Sequence, residues 1–191
     1  MDADADLLVR WRDGDRDAGE ALFARYFEAL YRFFATKCNE PADLAQATLL
    51  AIVQSRGQFA GRSSFRTYLF AIARNELYDH LRAGQRTRTF DPEVSSVVDL
   101  LAVPVTSAAT QLDRGEHHRR VCAALRELPV EQQTLLELHY WEDLDAAALG
   151  EVFAAPPTTI RTRLHRARLA LRERLGDDDV FAALERPAPR A

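Results

Sequence analysis

WEDLDAAALGEVFAAPPTTIRTRLHRARLALRERL, residues 141–175, predicts two helices joined by a tight corner. The first helix breaks before Pro156, because a proline disfavours helical geometry in the residue before it, and a second helix begins at Pro156 or Pro157. Asp145 is placed to cap the first helix, and the missing side chain of Gly150 lets the two helices approach closely. The second helix has an apolar stripe with spacings of three and four, which is typical of a helix-turn-helix. The stripe residues are Ile160, Leu164, Ala167 and Leu171.

The outer face of the second helix is rich in arginine and hydroxyl side chains. Guanidinium groups match guanine edges and phosphates, and small hydroxyls suit the N-terminal end, where such a helix enters the major groove. Charge alone would favour an ordinary solvated face. Charge together with the corner and the apolar stripe favours DNA contact. The candidate residues for reading duplex DNA are Thr158, Thr159, Arg161, Thr162, His165 and Arg166.

Length and composition bound the class of protein. The chain has 191 residues, 47% of them hydrophobic, which suits one domain or two small ones. No run approaches the roughly 18 apolar residues of a membrane helix, and the acidic N-terminus lacks a signal peptide's apolar segment. We therefore expect a cytoplasmic protein with no membrane partner. Cys38 and Cys122 lack metal-ligand spacing, which predicts buried free thiols and no metal site.

The net charge of −4 is unusual for a DNA-binding protein, so the distribution of charge matters more than its sum. Basic residues collect at 82–88 and 161–174, while acidic residues collect near the N-terminus and at 177–179. We expect weak affinity for bare DNA and a partner that supplies the remainder.

Apolar periodicity predicts further helices in the N-terminal half of the chain. Residues 5–37 form a helical stretch with a break at residues 13–15, and residues 41–56 form the next helix. Asp43 and Gln46 point away from the buried face of that second helix. The residues expected on its buried face are Leu44, Ala45, Thr48, Leu49, Ile52 and Val53.

A loop at residues 57–64 precedes a helix from Phe65 to about Ala83, and Ser63 or Ser64 is placed to cap that helix. Arginines and aromatics are interleaved around its apolar stripe. Aromatic rings stack on unpaired bases and guanidinium groups contact the backbone, so the pattern suits single-stranded nucleic acid. The alternative, that Phe65 and Tyr68 only cover the core edge, is equally favoured. The interleaved candidates are Phe65, Arg66, Tyr68, Arg74, Asn75, Asp79 and Arg82.

The sequence as a whole predicts an all-α protein of two small helical domains joined by an irregular linker, the C-terminal one a helix-turn-helix. Residues 87–114 lack sustained periodicity, and Leu135, Leu136, Leu138 and Trp141 continue the C-terminal core. No catalytic constellation, phosphate loop or cofactor motif is present, so we expect neither an enzyme nor a cofactor. The expected segments are an N-terminal domain at 1–86, the linker at 87–114, a C-terminal domain at 115–176 and a short tail at 177–191.

Three segments carry a resemblance to a known family. They are DLAQATLLAIVQSRGQF at 43–59, SFRTYLFAIARNELYDHLR at 64–82 and LRELPVEQQTLLELHYWEDLDAAALGEVFAAPPTTIRTRLHRARLAL at 125–171. All three occur in the family's order at near-standard spacing, so the chain resembles a group-four sigma factor of bacterial RNA polymerase, the extracytoplasmic-function kind. The resemblance implies a dissociable subunit that binds core polymerase and directs promoter-specific transcription initiation.

The resemblance also implies roles for individual residues. The C-terminal candidates match positions that read the minus-thirty-five element, and the helix from Phe65 resembles the one that melts and reads the minus-ten element. The linker resembles one that threads toward the RNA exit path. The implied partners are core polymerase, through its largest-subunit clamp helices and its flap, promoter DNA and an anti-sigma factor. The implied polymerase-docking residues are Asp43, Gln46, Leu50 and Val53, and the implied loop residues that capture a flipped base are Phe59, Arg62, Ser63 and Ser64.

Several positions depart from the family's pattern, including Tyr68, where the family often has tryptophan, and Pro156-Pro157, a stiffer start than usual for a recognition helix. Ala47 stands where the docking motif usually carries glutamate. Asp143 and Ala154 stand where glycine is usual, which predicts left-handed backbone at both. Aspartate tolerates that conformation, whereas alanine there costs of the order of 1 kcal/mol.

Two alternatives differ from the sigma-factor hypothesis in class. A stand-alone helix-turn-helix regulator would bind palindromic duplex DNA without polymerase, but it leaves residues 57–82 without a purpose. A degenerate sigma-like adaptor that sequesters a partner would tolerate Tyr68→Ala and Arg166→Ala, and Ala47 favours it slightly.

Overall fold

The structure is a computed structural model, and it describes residues 3–55, 59, 61, 63–84 and 119–176. Every regular element within those ranges is a helix, which confirms the predicted all-α class. The predicted linker, the tail and Arg62 lie outside the described residues. The helices are α1 (Ala3–Arg12), α2 (Arg16–Ala35), α3 (Pro41–Gln54), α4 (Phe65–Gly84), α5 (described over 119–126), α6 (Val130–Tyr140), α7 (Ala146–Val152) and α8 (Pro157–Leu175).

The first of two compact units is built on α1–α4. Helix α2 packs against both α1 and α3, and α3 packs against α4. Long apolar side chains from α2, α3 and α4 fill the space between these helices, so burial of apolar surface holds the unit together. The largest fully buried side chains there are Tyr26, Phe34, Phe70, Leu22, Leu30, Ile52, Leu69 and Leu77.

The predicted break between the first two helices is confirmed and has a clear cause. Gly14 has a φ of +104°, a backbone conformation that residues with a side chain rarely adopt. Asp15 then caps α2, its Oδ1 accepting a hydrogen bond from the Ala18 amide at 3.1 Å. That bond, together with hydrogen bonds from Arg10, lowers the pKa of the Asp15 carboxyl. The cap therefore keeps its charge, which is favourable at a helix N-terminus.

Helix α3 buries most of its expected stripe, but Leu49 is only half-buried and the prediction for Val53 is wrong. Leu44, Ala45, Thr48 and Ile52 are buried as predicted. Val53 is 45% exposed instead of buried. It follows Ile52 by one residue, a step of about 100° around the helix, which carries it past the edge of the stripe.

The second unit is built on α5, α6 and α8, with α6 packed against α8. Leu135, Leu136 and Leu138 are each at most 1% exposed, which confirms the predicted core of α6. The prediction that Trp141 continues this core is wrong, because Trp141 is 37% exposed. It is the C-cap of α6, where the chain turns away, and Leu144 (4% exposed) is buried instead. Among the described residues, no helix has the length and apolar character needed to span a membrane.

Candidate nucleic-acid interface

Local interactions around α7 build the predicted helix-turn-helix. The Asp145 carboxylate caps α7, with Oδ1 accepting from the amides of Ala147 at 3.0 Å and Ala148 at 2.8 Å. Left-handed backbone precedes and follows this helix, at Asp143 with φ 56° and at Ala154 with φ 48°. Both were predicted from the sequence. Helix α7 ends at Val152 and α8 begins at Pro157, so four residues form the corner between them.

Helix α8 has two distinct faces. The predicted apolar stripe is buried, with Ile160, Ala167 and Leu171 fully inaccessible and Leu164 only 4% exposed. The predicted DNA-reading side chains lie on the outer face, where all but the half-buried Thr159 are exposed. The exposed members of this face are Thr158, Arg161, Thr162, His165 and Arg166. The structure therefore brings the C-terminal candidates together on one accessible surface, which we call the α8 face.

Several arginines of α8 hold the helix in place within its unit. Arg163 pairs with Glu131 at 2.7 Å, and Arg174 lies 3.9 Å from Glu127. Arg168 donates from Nε to the Tyr140 hydroxyl at 2.8 Å. These contacts fasten α8 to α6 and to the end of α5.

The imidazole of His139, on α6, connects α8 with the turn that follows α6. Its Nε2 lies 2.9 Å from an Arg168 guanidinium nitrogen, and its Nδ1 lies 3.0 Å from the Leu144 carbonyl oxygen. Since guanidinium can only donate, Nε2 accepts and the proton is on Nδ1, which donates to Leu144. Arg161 and Arg166 form no such bonds with any residue in the described ranges. The arginines thus divide into those that anchor the helix and those available to a ligand.

The N-terminal end of α8 adds electrostatic attraction for a phosphate. No side chain caps this end, so its first-turn amides remain available to an external acceptor. Unsatisfied amides and the positive end of the helix dipole favour an anion there. Thr162 donates its hydroxyl to the Thr158 carbonyl at 3.2 Å, so that proton is used within the helix. The exposed arginines of the α8 face are the available donors for base edges.

In the N-terminal unit, two candidate aromatic residues lie in the core. Phe59 and Phe65 are only 5% and 4% exposed, and their ring centroids are 6.4 Å apart in an edge-on arrangement. The core-edge alternative therefore describes Phe65 as it stands, and Phe59 is buried beside it. Tyr68 is half-buried, with its ring 4.8 Å from that of Phe59 and its hydroxyl 2.7 Å from Ser55 Oγ. Tyr68 thus has part of its ring accessible and a fixed orientation.

Ser64, and not Ser63, caps α4. Ser64 Oγ accepts from the Thr67 amide at 3.1 Å and lies 2.8 Å from the Thr67 hydroxyl. Ser63 is half-buried in the loop before the helix. The capping prediction is confirmed, and the cap fixes where the accessible face of α4 begins.

The candidates on α4 separate into two groups. Tyr68, Asn75, Asp79 and Arg82 are spaced by seven, four and three residues, so they share one side of the helix, which we call the α4 face. The last three are exposed, and Arg82 pairs with Asp79 at 2.9 Å. Arg66 and Arg74 lie elsewhere around the helix. The Arg66 guanidinium carbon is 5.6 Å from the Tyr26 ring centroid, and that of Arg74 is 4.5 Å from the Tyr78 ring centroid.

The implied docking residues on α3 also form one surface. Asp43, Gln46, Leu50 and Val53 are spaced by three, four and three residues, and all are exposed. Leu50 is 57% exposed and Val53 45%, which makes them the large exposed apolar residues of this helix. Neighbouring exposed apolar side chains flanked by polar ones are typical of a protein-binding surface. We call this set the α3 face.

Two contributors to the site were missed by reasoning from the sequence. Ser55 positions the Tyr68 hydroxyl, and Asp4 accepts a hydrogen bond from the Tyr26 hydroxyl. The sequence did contain a signal for a partner such as Asp4, because a tyrosine in an otherwise apolar stripe needs a partner for its hydroxyl. Both cysteines are buried thiols outside any disulfide, as predicted, and burial raises the pKa of Cys38, which keeps that thiol protonated.

The described residues combine a helix-turn-helix with a second helical unit that displays a tyrosine beside polar groups, an arrangement typical of DNA-binding transcription proteins. Comparisons with known proteins narrow this class. Residues 22–87 match sigma-70 region 2, and residues 118–171 match sigma-70 region 4. The chain belongs to the sigma-70 family of RNA polymerase sigma factors, in its extracytoplasmic-function group. It is therefore a factor that directs transcription initiation at promoters, and not an enzyme.

Relatives match along nearly the whole chain. RNA polymerase sigma factor CarQ of Myxococcus xanthus is 30% identical over 179 residues, which cover 92% of this chain and 99% of CarQ. The extracytoplasmic-function sigma factor SigW of Bacillus subtilis is 26% identical, with 87% and 93% covered. The solved structure of CnrH in complex with the cytosolic domain of CnrY matches with a TM-score of 0.65 at 22% identity, covering 92% of this chain and 98% of that one. That last likeness supports the fold alone.

Proposed function

We propose that this sigma factor uses three surfaces in initiation, one for polymerase and two for the promoter. The α3 face docks on the clamp helices of the polymerase largest subunit. The α8 face reads the minus-thirty-five element as duplex DNA. The α4 face, with the loop before it, captures unpaired bases of the minus-ten element. The working segments are a domain at 1–86, a linker at 87–114, a domain at 115–176 and a tail at 177–191.

The observation that carries this proposal is the division of arginines on α8. Arg163 and Arg168 are used to hold the helix against α6, while Arg161 and Arg166 remain exposed on the outer face. Arg163 and Arg168 have partners within the protein, so Arg161 and Arg166 are the arginines proposed to contact DNA where the N-terminal part of the helix enters the groove. A guanidinium group there can form two parallel hydrogen bonds to one guanine.

Opening of the minus-ten element is proposed to depend on the Tyr68 ring. Unstacking a base step costs a few kcal/mol, and a captured base recovers part of that by stacking on an aromatic side chain. Tyr68 is half-buried and fixed at its hydroxyl, so its accessible ring surface is presented with little loss of rotamer freedom. Asn75, Asp79 and Arg82 lie along the same face and supply polar contacts. Ser63, Ser64 and Arg62 of the loop supply further contacts to the captured base or its phosphates.

The partners follow from the charge distribution and from the relatives. A net charge of −4 makes binding to bare DNA weak, so core polymerase supplies the remaining affinity. The C-terminal unit is proposed to contact the polymerase flap. The related sigma factor RpoE of Bartonella quintana is solved in complex with the anti-sigma factor NepR. We propose that an anti-sigma factor likewise binds this protein, and that it works in the cytoplasm.

Run-off transcription with core bacterial RNA polymerase tests the proposal. The template is the fragment upstream of this protein's own gene, and polymerase binding is measured on the same samples by co-elution. Discrete transcripts that require the added protein are expected, and their start sites locate both promoter elements.

Each other result points to one alternative. Polymerase binding without any transcript, on a panel of promoter fragments, identifies a sequestering adaptor. Absence of polymerase binding, with palindromic duplex bound by the protein alone, identifies a stand-alone regulator. Either result overturns the assignment of the three surfaces.

A further inference from the structure

The N-terminal helix α1 precedes the segment that matches region 2, and α2 is shaped to receive it. The Trp11 indole of α1 lies against Gly19 of α2, where an added Cβ would come within 2.4 Å of Trp11 Cδ1. The indole also packs edge-on against Phe23, one turn further along α2, with ring centroids 5.2 Å apart. Trp11 is only 7% exposed. Helix α1 is thus seated in a fitted position on the N-terminal unit.

One polar group of α1 reaches the core beneath it. The Asp4 carboxylate accepts hydrogen bonds from the Tyr26 hydroxyl and from the Arg25 guanidinium. Tyr26 is 1% exposed, whereas the Arg25 side chain is 45% exposed, so the two bonds differ in their surroundings. Burial and then the bond to Asp4 raise the pKa of Tyr26 to about 12, against the opposing effect of Arg66. The hydroxyl therefore stays protonated and always has a proton to donate to Asp4.

A continuous row of aromatic rings leads from Tyr26 to the α4 face. The Tyr26 ring packs edge-on against Phe65 with centroids 5.4 Å apart, and Phe65 is followed by Phe59 at 6.4 Å. Phe59 in turn lies 4.8 Å from the Tyr68 ring. Each ring fixes the tilt of the next, because close-packed interiors leave little room for one ring to turn alone.

We propose that α1 is a positioning element for promoter opening, in which Asp4 holds Tyr26 and so sets the orientation of the ring row that ends in Tyr68. The proposal rests on the function proposed above for Tyr68. Asp4 and Tyr26 touch no DNA in this account. They act by limiting the movement of Phe65 and Phe59 behind the ring that receives the base.

Open-complex formation by the holoenzyme tests the proposal. The rate is followed by stopped-flow fluorescence of a promoter labelled in its minus-ten element, with wild-type protein and the variants Asp4→Ala, Tyr26→Phe and Arg25→Ala. We expect the first two to slow opening by about threefold to tenfold, the range that corresponds to one net hydrogen bond. Arg25→Ala is the matched control, since it removes the exposed partner of Asp4 and should open at the wild-type rate. Asp4→Asn keeps an acceptor for Tyr26 and should restore most of the rate.

Double variants separate positioning from loss of stability. Asp4→Ala combined with Tyr26→Phe should be no slower than either alone, and Asp4→Ala should have no further effect on Tyr68→Ala. Polymerase binding and the thermal midpoint of the Tyr26→Phe protein are measured alongside. If Tyr68→Ala is slow but Asp4→Ala and Tyr26→Phe are not, the role of α1 is overturned while the proposed function stands. Wild-type opening by Tyr68→Ala instead overturns the proposed function of Tyr68 and the role of α1 with it. If adding Asp4→Ala to Tyr68→Ala slows opening by the same factor as Asp4→Ala does alone, the role of α1 is also overturned.

Discussion

Helices α4 and α8 both carry arginines around a buried apolar stripe, yet they present them in different ways. On α8 the predicted reading side chains form one exposed face, and separate arginines anchor the helix from behind. On α4 the arginines are dispersed, with Arg66 beside Tyr26 and Arg74 beside Tyr78. The exposed side of α4 instead carries one half-buried tyrosine and an ion pair between Asp79 and Arg82.

The difference matches the two states of DNA that a promoter presents. Duplex DNA offers base edges in a groove, and long exposed donors on a rigid helix suit that target. An unpaired base offers its flat face, and a ring held still by its neighbours suits that one. We therefore propose that similar composition serves two different binding modes, and that the arrangement of side chains decides which.

Leu50→Asp should have the largest effect, because both binding to duplex DNA by α8 and capture of unpaired bases by α4 depend on docking to polymerase. A carboxylate on the α3 face would be desolvated against polymerase, which costs several kcal/mol when no partner charge is present. We expect loss of co-elution with core polymerase and loss of all run-off transcript. Val9→Asp is the control, because Val9 and Leu50 are each 57% exposed and Val9 lies on α1. Assembly of Leu50→Asp at the level of Val9→Asp would show that polymerase docks elsewhere.

Tyr68→Ala should affect opening alone. Removal of the ring forfeits stacking worth about 1–3 kcal/mol per base, so we expect opening to slow by about tenfold or more. Polymerase binding and protection of the minus-thirty-five element should be unchanged. Tyr68→Phe keeps the ring and loses only the contact to Ser55, and it should retain most of the rate. Weaker duplex binding by Tyr68→Ala would break the distinction between α4 and α8.

Arg166→Ala should affect duplex reading alone. If the guanidinium forms two bonds to one base, affinity for the upstream element falls by about 1–3 kcal/mol and preference at that base pair is lost. The measurement is competition among single-base variants of the element at fixed salt, because phosphate contacts are strongly salt-dependent. Arg163→Ala is the control, since Arg163 pairs with Glu131 and should leave base preference unchanged.

Ala154→Gly should have the smallest effect, an increase in the stability of the helix-turn-helix. Relief of left-handed strain is worth of the order of 1 kcal/mol, and the added freedom of the unfolded chain offsets about half of it. Slower hydrogen exchange of the amides in α7 and α8 would report the gain. Ala155→Gly is the control, because Ala155 is not among the residues with positive φ and should only lose stability. Faster exchange in Ala154→Gly would contradict the strain at this corner.

Patterns within one element could be predicted from the sequence. Apolar spacing identified the buried stripe of α8 and residue type identified the Asp145 cap, whereas the left-handed corner at Ala154 was implied by the resemblance to the family. Each depends on positions a few residues apart, whose geometry the helix itself sets. Asp43 and Gln46 were correctly expected away from the buried side of α3, although Val53 was expected on both the buried and the exposed side.

Contacts between elements distant in the chain could not be predicted in the same way. The burial of Phe65 depends on Tyr26 and Phe59, and the anchoring of Arg168 depends on Tyr140. The spacing of apolar residues indicates that a side chain faces the core, but it does not indicate which residue that side chain contacts. Exposed and anchored arginines on α8 therefore looked alike in the sequence, and only the packing of α6 against α8 separates them.

That separation has an evolutionary consequence. Arg163 and Arg168 fasten α8 to α6, while Arg161 and Arg166 bear no part of that attachment within the described residues. If the exposed pair reads the promoter as proposed, mutations there change the preferred promoter without loosening the helix that presents it. Duplicated genes that share this framework can therefore diverge toward separate sets of promoters one exposed side chain at a time, with the folded protein intact at every step.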